Sequence, residues 1–199
     1  MESKLFTPVT FGPLTLRNRT IRSAAFESMC PGNAPSDMLL NYHRSVAAGG
    51  IGMTTVAYAA VTRSGLSFDR QLWMRPEIIP GLRRLTDAVH AEGAAAGIQL
   101  GHCGNMSHKS ICGCTPVGAS GGFNLYSPTF VRGLRADELP ELARAYGRSV
   151  NLAREAGFDA VEIHAGHGYL ISQFLSPATN HRKDEFGGSL QNRMRFMDM

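Results

Sequence analysis

Residues 159–177, DAVEIHAGHGYLISQFLSP, decide how this 199-residue chain is read. Val161 and Ile163 alternate with Glu162 and His164, the two-residue period of a β-strand. The run ends in His164-Ala165-Gly166-His167-Gly168-Tyr169, where two glycines relax the backbone and leave two imidazoles and a phenol close together. Such side chains at the C-terminal end of a buried strand are what a parallel α/β protein offers as an active site. A single histidine there is more often a satisfied core or loop residue than a catalyst. The His-x-x-His spacing also suits half of a metal site, but no zinc or iron pattern completes it.

Working outward, Asp137 reads as the N-cap of a helix with Leu139, Leu142, Tyr146, Val150 and Ala153 along one stripe. Pro140 is tolerated in its first turn, and Gly157 ends it. After the key stretch, residues 176–188 read as a polar loop, with Gly187-Gly188 permitting a turn. Ser189 then caps a last helix through Phe196. Upstream, residues 8–16 (PVTFGPLTL) predict a tight hairpin around Gly12-Pro13. Residues 20–25 predict a first strand. Residues 37–48 predict a helix with Leu40, His43, Val46 and Ala47 near one face, stopped by Gly49-Gly50. Residues 51–57 predict a second strand, apolar and β-branched enough to be buried on both faces. A loop carrying Arg63, Asp69 and Trp73 follows. Pro76 opens a helix with Ile78, Leu82, Leu85 and Val89 at helical spacing, ended by Gly93. Residues 95–100 predict a third strand. Residues 101–136 are Gly-rich and without periodicity, and connections of that length are usually functional or mobile.

The order is a hairpin and then four strand–helix units, which argues a parallel sheet with helices outside. There is no G-x-G-x-x-G and no G-x-x-x-x-G-K-[ST], so neither a dinucleotide-binding nor a P-loop fold is supported. A (β/α)8 barrel is the natural alternative, but it typically needs about 250 residues. Four units make half of one.

Hydrophobic residues are 43% and charged residues 18%, an ordinary globular mixture. The net charge of +4 is mild and spread along the chain, so no nucleic-acid partner is expected. No apolar run reaches membrane-spanning length, and the N-terminus lacks the apolar stretch of a secretory signal. Cys30, Cys103, Cys112 and Cys114 match no disulfide or zinc framework, so reduced thiols in the cytoplasm are expected, and no metal.

The chain resembles the Old Yellow Enzyme family of FMN-dependent NAD(P)H:flavin oxidoreductases, including its 2,4-dienoyl-CoA reductase-like branch. The segments that carry the resemblance are LFTP (5–8), LRNR (16–19), SAAFE (23–27), AGGIG (48–52), GIQLGHCG (97–104), EIHAGHGYL (162–170) and FLSPATNHRKDEFGGSLQNR (174–193). The resemblance runs over the whole chain and covers the first half of the family's barrel. It implies a TIM (β/α)8 barrel in part, with an N-terminal hairpin closing the bottom and four βα units. It also implies FMN at the top, NADH or NADPH as reductant, and hydride transfer from flavin N5 to the β-carbon of an α,β-unsaturated carbonyl or enoyl substrate.

Site residues follow from the same resemblance. Ser23, Ala24, Ala25 and Phe26 match the flavin-contacting segment after the first strand, and Ala60 the small residue facing the isoalloxazine. Gln99 matches the glutamine that reads the flavin's pyrimidine edge, which an amide suits because it donates and accepts. His164 and His167 match the pair that binds the substrate's carbonyl oxygen, where two N–H donors stabilise developing enolate charge. Tyr169 matches the proton donor, a phenol with an ordinary pKa of about 10. Arg182, Asp184 and Asn192 read as loop-bracing residues.

Phe26 stands where many members carry Thr or Cys, Ala24-Ala25 replace a common Pro-Met, and Asn105 stands where some branches carry Arg. Phosphate binding in such barrels usually comes from loops after strands seven and eight. Weak FMN binding by these 199 residues alone is therefore expected, as is association with a C-terminal half or a second copy. The branch's iron–sulfur cysteines also lie beyond the matched segments, and no cluster is expected. Two rival readings stay open: a non-catalytic half-barrel that needs a partner segment to bind FMN, and a metal-dependent barrel hydrolase using His164 and His167.

Overall fold

The computed structural model describes residues 3–199. Its strands are β1 (Val9–Phe11), β2 (Leu14–Leu16), β3 (Ile21–Arg22), β4 (Met53–Ala60), β5 (Ala95–Gly101), β6 (Val117–Gly118), β7 (Gly122–Asn124), β8 (Thr129–Gly133) and β9 (Ala160–Ile163). Its α-helices are α1 (Asp37–Ala48), α2 (Ile79–Ala91), α3 (Lys109–Cys112), α4 (Leu139–Glu155), α5 (Leu170–Leu175) and α6 (Leu190–Met194). They divide into two compact units. The first comprises Met1–Ala59, Arg70–Gln99 and Val150–Glu162; the second comprises Ala60–Asp69, Leu100–Ser149 and Ile163–Met199.

In the first unit β1 and β2 pair antiparallel, Val9 opposite Leu16, around Gly12 in the left-handed conformation that a two-residue turn requires (φ 54°). The main sheet runs in the order β3-β4-β5-β9. Its neighbours are parallel. Ile21 lies opposite Met53, Ala95 N–H bonds Gly52 C=O, and Asp159 N–H bonds Ala96 C=O. Sequential strand order with helical crossovers is the winding of half a (β/α)8 barrel. From Thr54 to Ala60 every residue of β4 is buried, as its unbroken apolar and β-branched run requires. Ser36 Oγ caps α1 by accepting Leu39 N–H at 3.2 Å, and Gly49-Gly50 end it. Leu39, His43 and Ala47 form its buried face. Leu40 and Val46, expected there, are half-buried. On α2, Leu82, Leu85 and Val89 are fully buried.

Several boundaries differ from expectation. The first strand is two residues rather than the whole of 20–25, because the chain leaves the ladder as extended backbone after Arg22. The second strand lies over 53–60 rather than 51–57, since Gly50 to Gly52 are still completing the turn out of α1. Asp137 is not an N-cap. The chain enters α4 through a 3₁₀ turn at Ala136–Glu138 that follows Arg135, whose N–H is accepted by Glu138 Oε2 at 2.8 Å. The strand of the key stretch is not buried either. Glu162 and Ile163 are exposed, because β9 is the outer strand of the sheet.

Residues 101–136 also depart from the structureless connection expected. In the second unit they fold into α3 and a small sheet of order β6-β8-β7, with β7 antiparallel and β6 parallel to β8. Gly121 and Gly133 allow two backbones to touch there. A Cβ on Gly133 would stand 3.0 Å from the Gly121 nitrogen.

The loop after α5 is braced as expected. Arg182 donates to the carbonyls of Ala119 (3.0 Å) and Leu134 and pairs with Asp184, while Asn192 Nδ2 donates to Gly187 C=O at 3.0 Å. Gly187 has no room for a side chain against the Arg182 backbone. Ser189 Oγ caps α6.

Candidate active site

In the second unit the sequence around β9 brings three rings together. His164 N–H is accepted by Leu100 C=O at 2.8 Å, which continues the parallel ladder and buries the imidazole. The chain then turns back, and Tyr169 N–H bonds Gly166 C=O at 3.1 Å. The ring centroids of His164 and His167 lie 5.0 Å apart, those of His164 and Tyr169 4.8 Å, and those of His167 and Tyr169 6.5 Å. His167 reaches this place only in the left-handed region (φ 56°), which side-chain-bearing residues rarely occupy. His164 Nδ1 accepts Gly166 N–H at 3.3 Å. That assigns the ring proton to Nε2 and makes Nε2 a hydrogen-bond donor.

Gln173, on α5, holds this turn. Its Nε2 faces Gly168 C=O (2.7 Å), Asn105 Oδ1 (2.9 Å) and Cys103 C=O (3.1 Å), and its Oε1 accepts Asn105 N–H (3.2 Å). The side chain is buried, and Gly104 leaves the space it fills. One amide thus ties the His167–Tyr169 turn to the loop after β5. Beside that turn lies a cavity of ≈ 510 Å3 whose walls include Asn105, Met106, Phe123, Tyr126, His167 and His181. Its mixture of apolar wall and a few polar groups is what a small-molecule site presents.

His102, also buried, is held near pKa 4 by desolvation. Its Nδ1 accepts Gly104 N–H at 3.0 Å, so its Nε2–H donates to Ser64 Oγ at 3.2 Å. Ser64 and His102 are therefore not a nucleophile and its base. Ala60, fully buried, ends β4 in this unit, where the neighbouring Val61 N–H bonds Gly101 C=O.

The remaining expected residues belong to the first unit. Ser23, Ala24, Ala25 and Phe26 form an extended segment, and all but Ala24 are exposed. Both its ends are fastened. Arg22 Nη1 lies 3.0 Å from Glu27 Oε1 and donates to Thr55 C=O at 2.6 Å, while its Nη2 reaches Ala25 C=O at 3.3 Å. The Glu27 carboxylate accepts Ala57 N–H and faces His43 Nε2 at 3.3 Å, and His43 Nδ1 meets Thr54 Oγ1 at 2.8 Å. A buried carboxylate this well paired is costly to disturb. Arg22, Glu27 and Gln173 are not singled out by the sequence, and His43 is placed by it only on one face of the helix over 37–48. A charged residue at each end of the segment and a glycine opposite an amide were the available signals.

Gln99 is buried in β5, and its Nε2 donates to Glu162 Oε1 on β9 at 2.6 Å. Its Oε1 has no protein donor among the described residues. An amide whose N–H is held by Glu162 and whose oxygen stays open to solvent fits the imide N–H of a flavin ring. Among the described residues, no group of three or more His, Cys, Asp or Glu is placed to hold a metal ion. Among the same residues no helix is long and apolar enough to cross a membrane.

Residues 4–198 match the NADH:flavin oxidoreductase / NADH oxidase family. The chain is 44% identical over 192 residues to the 4,4'-dithiodibutanoate disulfide reductase of Rhodococcus erythropolis, covering 96% of this chain and 48% of that protein. It is 38% identical over 202 residues to the NADPH dehydrogenase of Bacillus subtilis, covering 99% of this chain and 58% of that one. The solved structure of the Old Yellow Enzyme homologue from Zymomonas mobilis superposes with a TM-score of 0.91 at 30% identity, over 98% of this chain and 57% of that chain. The chain thus spans about half the length of the curated relatives it matches. The fold is the corresponding part of a TIM barrel.

Proposed function

Because the chain belongs to the NADH:flavin oxidoreductase / NADH oxidase family, we propose that it carries the ring-binding and proton-transfer residues of an FMN-dependent NAD(P)H oxidoreductase that reduces activated alkenes. FMN held by Gln99, Ala60 and residues 23–26 would supply the hydride chemistry between NADH or NADPH and the β-carbon of an α,β-unsaturated carbonyl or enoyl compound. Every other role belongs to this chain's own side chains.

Gln99 holds the flavin's imide edge through its unpartnered Oε1, and Glu162 fixes which way the amide points. Ser23 to Phe26 line the cofactor with backbone, three small side chains and the Phe26 ring, held by the Arg22–Glu27 pair. Ala60, a small residue at the end of β4, is assigned the place facing the flat ring. His164, through Nε2–H, and His167 bind the substrate's carbonyl oxygen. Their donors meet negative charge that grows as the alkene is reduced, so they help the transition state more than the ground state. Tyr169 delivers a proton to the α-carbon from beside the same pair. The observation that carries the reading is the cluster of His164, His167 and Tyr169 within 6.5 Å of one another, in a turn held by Gln173.

The four unpaired cysteines suit a reducing compartment, and we place the protein in the cytoplasm. The Rhodococcus relative is named for a disulfide, so the acceptor is the variable to test. Protein loaded with FMN and reduced anaerobically by NADPH should be reoxidised by 2-cyclohexenone. Reoxidation by 4,4'-dithiodibutanoate and not by the enone would replace the alkene with a disulfide. Flavin that NADPH reduces but neither compound reoxidises would overturn the assignment of the three rings.

A further inference from the structure

We propose that Cys112 and Cys114 form a thiol–disulfide exchange site for small water-soluble disulfides, one that works without flavin or nicotinamide. The local backbone builds it. Helix α3 ends at Gly113 in the left-handed conformation (φ 77°), which folds Cys114 back beside Cys112. Their sulfurs stand 3.9 Å apart. Glycine suits 113 because its φ is positive, and a Cβ there would also stand 3.3 Å from the Arg63 guanidinium. Closing an S–S bond of about 2.05 Å then needs side-chain rotation and little movement of the main chain.

The two sulfurs are unequal. Cys114 is exposed and borders a cavity of ≈ 640 Å3 whose walls carry Arg132, Arg135 and Arg148 together with Asp137, Glu138 and Glu141, which pair with them. Cys112 is buried, its Sγ lying 3.3 Å from His108 C=O and 3.2 Å from Cys114 C=O. An accessible sulfur beside a shielded one is the arrangement that two-step exchange requires. In the first step the Cys114 thiolate attacks one sulfur of a disulfide RSSR. The S–S bond breaks, and one RS⁻ leaves and takes up a proton. In the second, Cys112 gives up its proton and attacks the Cys114 sulfur, expelling the second RSH. Two protein thiols are oxidised to one disulfide, and RSSR is reduced to two RSH.

Burial and the Cys112 sulfur raise the Cys114 thiol above its ordinary range, against the pull of Arg132 and Arg63. A thiolate of higher pKa is the stronger nucleophile once formed, so mildly alkaline solution is the condition of choice. The other two thiols stay silent. Burial pushes Cys30 and Cys103 up to about 12.

The test treats the native chain with 5,5'-dithiobis(2-nitrobenzoate) at mildly alkaline pH, following released thiolate and intact mass. The wild type should release two thiolates and end lighter by two hydrogens with no adduct, and dithiothreitol should restore it. Cys112→Ser should release one thiolate and keep the adduct on Cys114. Cys114→Ser should slow release by roughly tenfold or more. A stable adduct on the wild-type chain overturns the proposal, and so does reaction no faster than that of Cys30 and Cys103. The wild-type mass and the wild-type rate of thiolate release decide between these outcomes, whether or not either variant folds.

Discussion

Gln99 Nε2 donates to Glu162 Oε1 at 2.6 Å, so the amide on one strand is oriented by the carboxylate on the next. One N–H of the amide is committed to Glu162, and on the proposed reading the oxygen meets the flavin. Gln99→Leu should therefore weaken FMN binding by about 1 kcal/mol, roughly five-fold in Kd. Glu162→Leu should cost less, since Gln99 stays in place. Fluorescence titration with FMN measures both. A larger loss in Glu162→Leu would mean that the carboxylate, not the amide, does the binding.

Tyr169→Phe keeps the ring beside His164 and removes the proton. In a chain completed to a whole barrel and loaded with FMN, reduction by NADPH should proceed at the wild-type rate. Reoxidation by 2-cyclohexenone should slow by about 10²–10⁴-fold. Stopped-flow measurement of the two half-reactions separates them. Equal slowing of both would make the tyrosine a packing residue.

Gly104 combines a positive φ of 63° with a Gln173 amide where a Cβ would go. Gly104→Ala should destabilise the fold by about 2–3 kcal/mol, read as a lower urea midpoint with unchanged slope. Shortening the opposing side chain relieves the clash but not the backbone strain. The double variant with Gln173→Ser should thus show a coupling of about 1 kcal/mol. Strict additivity would mean that the two residues do not meet.

Among the groups that shape the acid limb of stability, His102 and Glu138 are shifted furthest. His102 titrates near 4 in the folded chain against 6.5 ordinarily, because burial disfavours its charged form. Its contribution is complete above pH 6.5 and is lost as pH falls from 6.5 through 4, by about 3 kcal/mol at most. Glu138 is held near 2 against 4.5, chiefly by its hydrogen bond from Arg132. Its contribution is complete above 4.5 and fades as pH falls through 2, and for a pair at the surface it amounts to about 1 kcal/mol or less. Urea midpoints measured against pH should fall first below 6.5, and His102→Gln should flatten that first decline. An unchanged decline in the variant would assign it to another group.

The fold was legible wherever a local signal matched a local structure. Ser36, Asp37 and Gly49-Gly50 mark α1 to the residue, and the β-branched run marks β4 to within three. The small sheet was not legible, because strands of two and three residues are too short to show a period, and glycines interrupt them. Asp137 was misread because Asp is a good cap in isolation, while Glu138 reaches back to Arg135 in the folded chain. The three rings of the site were legible because they lie within six residues of sequence. Gln173 was hidden because its partners, Cys103 and Asn105, are about 70 residues away, and a lone amide on a helix reads as surface.

His167 bears on how this protein can be improved. Its left-handed backbone is one that glycine or asparagine adopts at less cost, so either replacement should raise the melting temperature slightly while removing an imidazole from the cluster. A screen for heat resistance alone would select that change, and the winners would be sturdier and catalytically poorer. Thermostabilising libraries built on this chain should hold position 167 constant.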